Sequence, residues 1–112
     1  MKLSKNTKQD ITVEDVTFNI VLMNAFEAAA FQDKMSYGDA GATERSYMFV
    51  QRCIKGFTGV TDDNDKPIKM KKEKNTDYIS LEQLKLFPTN VLQELVYEVA
   101  VMSGVIEPEE KK

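Results

Sequence analysis

One segment near the start of the chain constrains the fold more than any other. Residues 16–26 (VTFNIVLMNAF) are the longest stretch without a charged side chain in this 112-residue sequence. A membrane-spanning helix needs about 20 such residues, so the sequence favours burial in a folded domain and no contact with a membrane. With its flanks, the stretch predicts a helix from Val13 to about Lys34, opened by a capping box at Thr12–Asp15.

This predicted helix is apolar on nearly every side. Between Phe18 and Phe31 its polar residues are Asn19, Asn24 and Glu27, which do not share one face. A helix of this kind must be covered all round. Either it is a central helix wrapped by the rest of the chain, or another protein or a second copy covers part of it.

Three further helices are predicted. The first runs from about Glu44 to Lys55 and carries a single apolar arc. A capping box at Ser80–Gln83 opens the second, which Pro88 stops. The third runs from about Val91 to Ser103, and residues 57–70 are predicted to form a short hairpin or ordered loop.

The expected fold is therefore mainly α, a small bundle of about four helices with that hairpin or loop near residues 57–70. Residues 1–11 are predicted to be a flexible N-terminal arm. Residues 12–104 form a single helical domain in this interpretation. Residues 105–112 are predicted to be a charged, disordered tail.

Composition excludes several classes of function. The chain has no histidine, which removes His-based catalytic triads and His-liganded zinc. A single cysteine, Cys53, allows no intramolecular disulfide, favours a reducing cytoplasm and is interpreted as a core residue. The net charge of −3, from 15 basic and 18 acidic residues, argues against a protein that mainly neutralises phosphate.

Two charged segments carry residue types that could bind a metal ion or a nucleic acid. Asp62 and Glu73 have the spacing of an EF-hand loop, but Lys66 and Pro67 stand where a ligand and the turn glycine belong. The five lysines of residues 66–74 are interleaved with acidic residues, which argues against nucleic-acid binding. We therefore expect no metal site, no cofactor and no catalytic residue, and the chain is not predicted to be an enzyme.

Apolar residues outside a single core face favour protein binding instead. Met48 lies on the otherwise polar side of its predicted helix, and Tyr97 and Val101 point away from the main apolar face of the last helix. The first predicted helix supplies further candidates. The residues expected to contact a partner are Phe18, Leu22, Phe26, Met48, Tyr97 and Val101.

Four segments follow one another in a suggestive order. ITVEDVT precedes the long helix, RCIKGFTGV ends the next one, DDNDKPI forms the turn and YISLEQLKLFPTNVLQELVYEVAVMSG closes the domain. In this order, over residues 11–104, the chain resembles the tail assembly chaperones of tailed bacteriophages. Such chaperones often begin with a β-hairpin, whereas residues 1–11 show little strand character.

The resemblance implies a non-enzymatic protein of the host cytoplasm. It would cover apolar helical segments of a tape-measure or tail-tube protein and leave as the tail tube closes. Two alternatives remain open at this stage: a small structural protein of the virion, of neck or tail-completion type, and a phage-encoded inhibitor of a host defence protein. Self-association into a homo-oligomer is also left open.

Overall fold

The structure, a computed structural model, describes Met1, residues 8–35 and residues 41–105. Within these residues there are three antiparallel strands and four helices, so the prediction of a mainly α bundle is wrong. The strands form one sheet in the order β1-β2-β3. In chain order the elements are β1 (Lys8–Val13), β2 (Val16–Val21), α1 (Ala25–Met35), α2 (Ala42–Gln51), β3 (Ile54–Thr58), α3 (Leu81–Leu84) and α4 (Thr89–Met102).

The largest correction concerns the long first helix predicted for residues 13–34. Its first half instead forms the turn and the second strand of a β-hairpin, in which β1 and β2 pair from Val13↔Val16 to Lys8↔Val21. Buried Ile11, Val13, Phe18 and Ile20 alternate with exposed polar residues, which is the period of a strand. The predicted capping box is the hairpin turn, where Glu14 has a φ of 54°.

Helical structure begins only at α1, and a capping box of its own explains why. The Glu27 N–H donates to the Asn24 Oδ1 at 2.8 Å, and the Asn24 N–H donates to the Glu27 Oε1 at 3.2 Å. This reciprocal pair satisfies two of the free N–H groups at the helix start. The chain therefore contains no single long helix over residues 13–34 that would need cover on every side.

The second predicted helix also ends earlier than expected. Helix α2 stops at Gln51, and the next residues turn into β3, which pairs antiparallel with β2. A Cβ atom at Gly56 would lie 2.7 Å from the Asn19 Oδ1 of β2, so glycine permits the close approach of the two strands. The apolar residues predicted for the end of one helix therefore lie partly in α2 and partly in β3.

Strand β1 begins at Lys8, inside the predicted flexible arm, and Val105 is buried although the predicted tail begins there. Residues 2–7 and 106–112, the remainder of those two segments, lie outside the described residues. The two later helices agree better with prediction: Ser80 caps α3, its Oγ accepting from the Gln83 N–H at 3.2 Å, and α4 covers the expected range.

The helices cover one face of the sheet and form the core with it. Phe18, Ile20, Ile54, Leu95 and Val99 are among its fully buried side chains. The opposite face of the sheet is polar: the Asn19 Nδ2 donates to the Asp10 Oδ1, and the hydroxyls of Thr12 and Thr17 bond to each other, both at 2.9 Å. None of the described helices is both long and apolar enough to cross a membrane.

Candidate protein-binding groove

An apolar groove of about 310 Å³ opens at one end of the domain, where the β1–β2 turn meets the start of α4. We call it the turn groove. Its walls come from parts of the chain that are far apart in sequence. The lining residues are Glu14, Asp15, Val16, Phe57, Gly59, Val60, Thr61, Ile68, Gln83, Leu86, Phe87, Pro88 and Val91.

Aromatic packing fixes the position of the segment between α3 and α4. The Phe87 ring lies 5.4 Å from the Phe18 ring and 5.5 Å from the Phe57 ring, measured between centroids, with tilted and edge-on geometries. Such arrangements are favoured between aromatic side chains. Because Phe18 is fully buried in β2, this contact attaches the groove wall to the core.

Gly59 closes the side of the groove next to the hairpin turn. Its φ is +89°, and a Cβ atom at this position would lie 2.1 Å from the carbonyl oxygen of Asp15. Only glycine can bring the backbone after β3 so close to the β1–β2 turn without a clash. Val60, the next residue, is therefore held beside Val16 in the lining.

The DDNDKPI segment builds the outer wall. The Asp62 Oδ1 accepts from the N–H groups of Asn64 and Lys66, at 2.8 and 3.0 Å, and so forms a tight turn. Beyond the turn, the Ile68 N–H donates to the carbonyl oxygen of Val60 at 2.8 Å, which places Ile68 in the lining. The acidic residues considered for calcium thus shape a loop, and the described residues contain no group of acidic and cysteine side chains arranged to hold a metal ion.

A buried amide anchors the lysine-rich part of the same connection. The Gln83 Oε1 accepts from the Lys71 N–H at 2.6 Å, and its Nε2 donates to the Lys69 carbonyl oxygen at 3.0 Å. A second buried amide, that of Gln51, donates to the Ile79 carbonyl oxygen at 3.0 Å. The connection is therefore tied to α2 and α3 by hydrogen bonds from side chains to backbone.

The rim of the groove combines an apolar and an acidic part. Leu86, which lies next to Phe87 in the lining, is 81% exposed. Glu14 and Asp15 lie at the other side, and the Glu14 Oε1 accepts from the Asn90 Nδ2 at 2.8 Å. This hydrogen bond connects the hairpin turn to the first turn of α4 and fixes the width of the groove at that end.

The six residues predicted to contact a partner lie on several elements and outside the groove. Phe18 is a correction, because its 0% exposure leaves no surface for another protein. Leu22 is half-buried and packs against the core just after β2. By contrast, Phe26 on α1 is 88% exposed.

The remaining three predicted contacts lie on α2 and α4. Met48 is 45% exposed and lines a shallow cleft with Leu81, Leu84 and other residues of α2, α3 and α4. Tyr97 and Val101 are half-buried and share one face of α4. The structure thus leaves Phe26 and Met48 accessible without bringing them into the turn groove.

The groove was not predicted from the sequence, although one local signal pointed to it. In the sequence LKLFPTN, a leucine and a phenylalanine follow the short helix directly before Pro88. Two adjacent residues cannot both lie on the buried face of the helix, so either the leucine or the phenylalanine had to point outward. The hairpin turn and Ile68 line the groove only because of tertiary contacts, and no local sequence pattern encodes such contacts.

Two ionisable groups outside the groove are perturbed. Burial, and to a smaller extent the charge of Glu27, raises the pKa of the Cys53 thiol from 9.0 to about 11. Cys53 is buried in the core, as predicted from the sequence. The Lys55 Nζ donates to the Asp77 Oδ1 at 2.8 Å, and this hydrogen bond, with the lysine charge, lowers the pKa of Asp77.

Comparison with known proteins adds no relative: no family model, no curated protein and no solved structure matches this chain.

Proposed function

We propose that this protein is a non-enzymatic protein-binding protein that covers apolar segments of its partner. The bacteriophage tail assembly chaperones that its sequence resembles supply the specific form of the proposal: a protein of the host cytoplasm that covers helical segments of a tape-measure or tail-tube protein. The observation that carries the proposal is the turn groove, with its apolar lining and the exposed Leu86 at its rim.

The energetics of the groove favour occupation by another protein. Fully burying a leucine side chain contributes about 1.5–3 kcal/mol, and a single copy of this chain leaves Leu86 mostly in water. The volume of about 310 Å³ is near the lower end for binding pockets, about 300–1,000 Å³. It suits a small cluster of apolar side chains from one helix face, which is a modest and reversible contact.

The β-hairpin gives separate support to the family resemblance. Chaperones of this kind often begin with a β-hairpin, and β1 and β2 form one near the start of this chain. The hairpin turn also contributes Glu14 and Asp15 to the groove. The element typical of the family and the candidate binding surface therefore meet at one place.

The proposal is tested by co-producing the full chain with the tape-measure protein encoded in the same genome. We expect the wild-type chain to co-purify with the tape-measure protein and to keep it soluble. Leu86→Asp should abolish both effects because it places a charge at the apolar rim. Gln93→Asp, a change at an exposed position of α4 outside the groove, is the matched control and should retain binding.

Two results would contradict the proposal. One is the absence of any complex with the tape-measure or tail-tube protein under conditions where both partners are folded. The other is a complex that Leu86→Asp and Gln93→Asp leave equally intact. Mass spectrometry of purified phage particles then separates a chaperone, which should be missing from the particle, from a structural virion protein, which should be present.

A further inference from the structure

The turn groove carries charge of one sign only. Glu14 and Asp15 are the ionisable residues of its lining, and their side chains are exposed at the edge formed by the hairpin turn. None of the described lining residues is basic. Lys85, although it precedes Leu86 in the chain, lines the separate cleft between α2, α3 and α4. An occupant of the groove therefore meets an apolar wall and, along one edge, a negative potential.

Both carboxylates can accept an external positive charge. The partner of Glu14 is the uncharged amide of Asn90, which bonds to Oε1 and leaves Oε2 open. Among the described residues, no basic side chain forms an ion pair with Glu14 or Asp15. The outer wall does not neutralise them either, because residues 62–69 carry three acidic and two basic side chains. The negative edge is thus not compensated within this part of the chain.

The backbone around the groove is already hydrogen-bonded within the domain. The Ile68 N–H donates to the Val60 carbonyl oxygen at 2.8 Å. The Leu86 N–H donates to the Gln83 carbonyl oxygen at 3.1 Å, and the hairpin turn and β3 belong to the sheet. The groove therefore offers side chains rather than an open strand. This favours an occupant that satisfies its own main-chain groups, as a helix does.

We propose that the occupant of the turn groove is an amphipathic helix of the partner with a lysine or arginine beside its apolar face. This inference rests on the proposed function, because it specifies the chemistry of the segment that the groove covers. An apolar side chain of the helix packs against Leu86 and Phe87. A basic residue one turn away along the helix lays its aliphatic stem on the apolar wall and brings its charge to Glu14 and Asp15.

Three synthetic peptides test this inference with the full chain. They share one leucine face of an amphipathic helix and differ only at the positions beside that face, which are lysine, glutamine or glutamate. Isothermal titration calorimetry should show the lysine peptide binding about tenfold more tightly than the glutamate peptide, with the glutamine peptide between them. The preference should nearly vanish at about 1 M salt, where the Debye length is about 3 Å.

A double variant removes the charge of the edge without removing its hydrogen bond. In Glu14→Gln with Asp15→Asn, the new Gln side chain still has an oxygen that accepts from the Asn90 Nδ2. The affinity ratio between the lysine and glutamate peptides should fall from about tenfold to nearly one, while circular dichroism shows the variant folded. Glu94→Gln with Asp33→Asn is the matched control, since it changes the charge equally at exposed positions outside the lining and should keep the preference.

Four outcomes would overturn the inference. The first is a wild-type chain that binds none of the peptides at millimolar concentration. The second is equal affinity for the lysine and glutamate peptides. The third is a lysine preference that the double variant retains, which would place the basic residue elsewhere. The fourth is a dimer of the chain alone that Leu86→Asp dissociates, because a second copy would then occupy the groove.

Co-production with the tape-measure protein separates this inference from the proposed function. If Leu86→Asp abolishes the complex and the double variant Glu14→Gln with Asp15→Asn leaves it at full affinity, the proposed function stands and the basic helix is wrong. If neither variant weakens the complex, both are wrong. If both variants weaken it and the matched control does not, the groove binds a basic apolar segment of that partner.

Discussion

The buried amide of Gln83 allows a direct test of which hydrogen bonds stabilise the loop beside the turn groove. Replacing Gln83 by alanine removes the acceptor of the Lys71 N–H and the donor to the Lys69 carbonyl oxygen, and the side chain is almost completely buried. Each such hydrogen bond contributes about 1 kcal/mol net, and a donor or acceptor left unpaired adds to the cost. We therefore expect Gln83→Ala to lower the free energy of unfolding by about 2–3 kcal/mol, a large part of the 5–15 kcal/mol typical of a small domain.

Urea unfolding followed by circular dichroism measures this loss, and amide hydrogen exchange locates it. In Gln83→Ala the Lys71 amide should exchange much faster than in the wild type. Gln83→Glu separates the two bonds, because a carboxylate still accepts from the Lys71 N–H but has no hydrogen to donate to the Lys69 carbonyl oxygen. We expect that variant to be destabilised while the Lys71 amide stays protected.

Gln93→Ala is the matched control, since Gln93 is exposed on α4, and it should unfold at the wild-type urea concentration. This prediction fails if Gln83→Ala and Gln93→Ala have equal stability. It also fails if the Lys71 amide exchanges at the same rate with and without the Gln83 side chain.

Three other predictions concern single positions. Gly59→Ala should lower the free energy of unfolding in urea by about 2 kcal/mol or more, because its Cβ atom would lie 2.1 Å from a carbonyl oxygen of the β1–β2 turn. Gly104→Ala is the control: Gly104 has a φ of +77° but open space around it, so this variant should lose clearly less stability. The Cys53 thiol, with its pKa raised to about 11, should react with a thiol reagent at pH 8 only as fast as the domain opens, so rapid labelling of the folded protein would contradict its burial. In an NMR titration the pKa of Asp77 should lie below its ordinary value of 3.8 and should rise towards it in Lys55→Met. Because the pKa of Asp77 is lower in the folded than in the unfolded protein, the Lys55–Asp77 pair stabilises the fold fully above the unfolded pKa. This stabilisation is lost below about pH 4, as Asp77 takes up its proton.

The later helices could be predicted because their signals are local. Ser80 and Gln83 form a cap within four residues, although α3 ends at Leu84, before the stop predicted at Pro88. The prediction of a helix over β2 is wrong because apolar residues spaced by four, such as Val16 and Ile20, fit both a helix and one face of a strand. The alternation of Thr17 and Asn19 with buried neighbours was the signal that separates the two.

The candidate site was harder to predict than the helices. Its lining joins the hairpin turn, the end of β3, Ile68 and Leu86, and no short window of sequence contains more than one of these parts. Among the predicted contact residues, Phe26 is accessible and Phe18 is buried. The difference follows from the hairpin, because one belongs to the core face of β2 and the other to an exposed helix face.

The connection between β3 and α3 spans residues 59–80, which is long for a segment without a helix or an extended sheet. Its backbone is nevertheless held by the side chains of Gln51, Asp62 and Gln83, and the Glu73 Oε2 accepts from the Leu81 N–H at the start of α3. A ligand that enters the turn groove therefore meets a preorganised wall and loses little affinity to the entropy of ordering it. A side chain can therefore bind there without first ordering the loop, so no folding step slows its association.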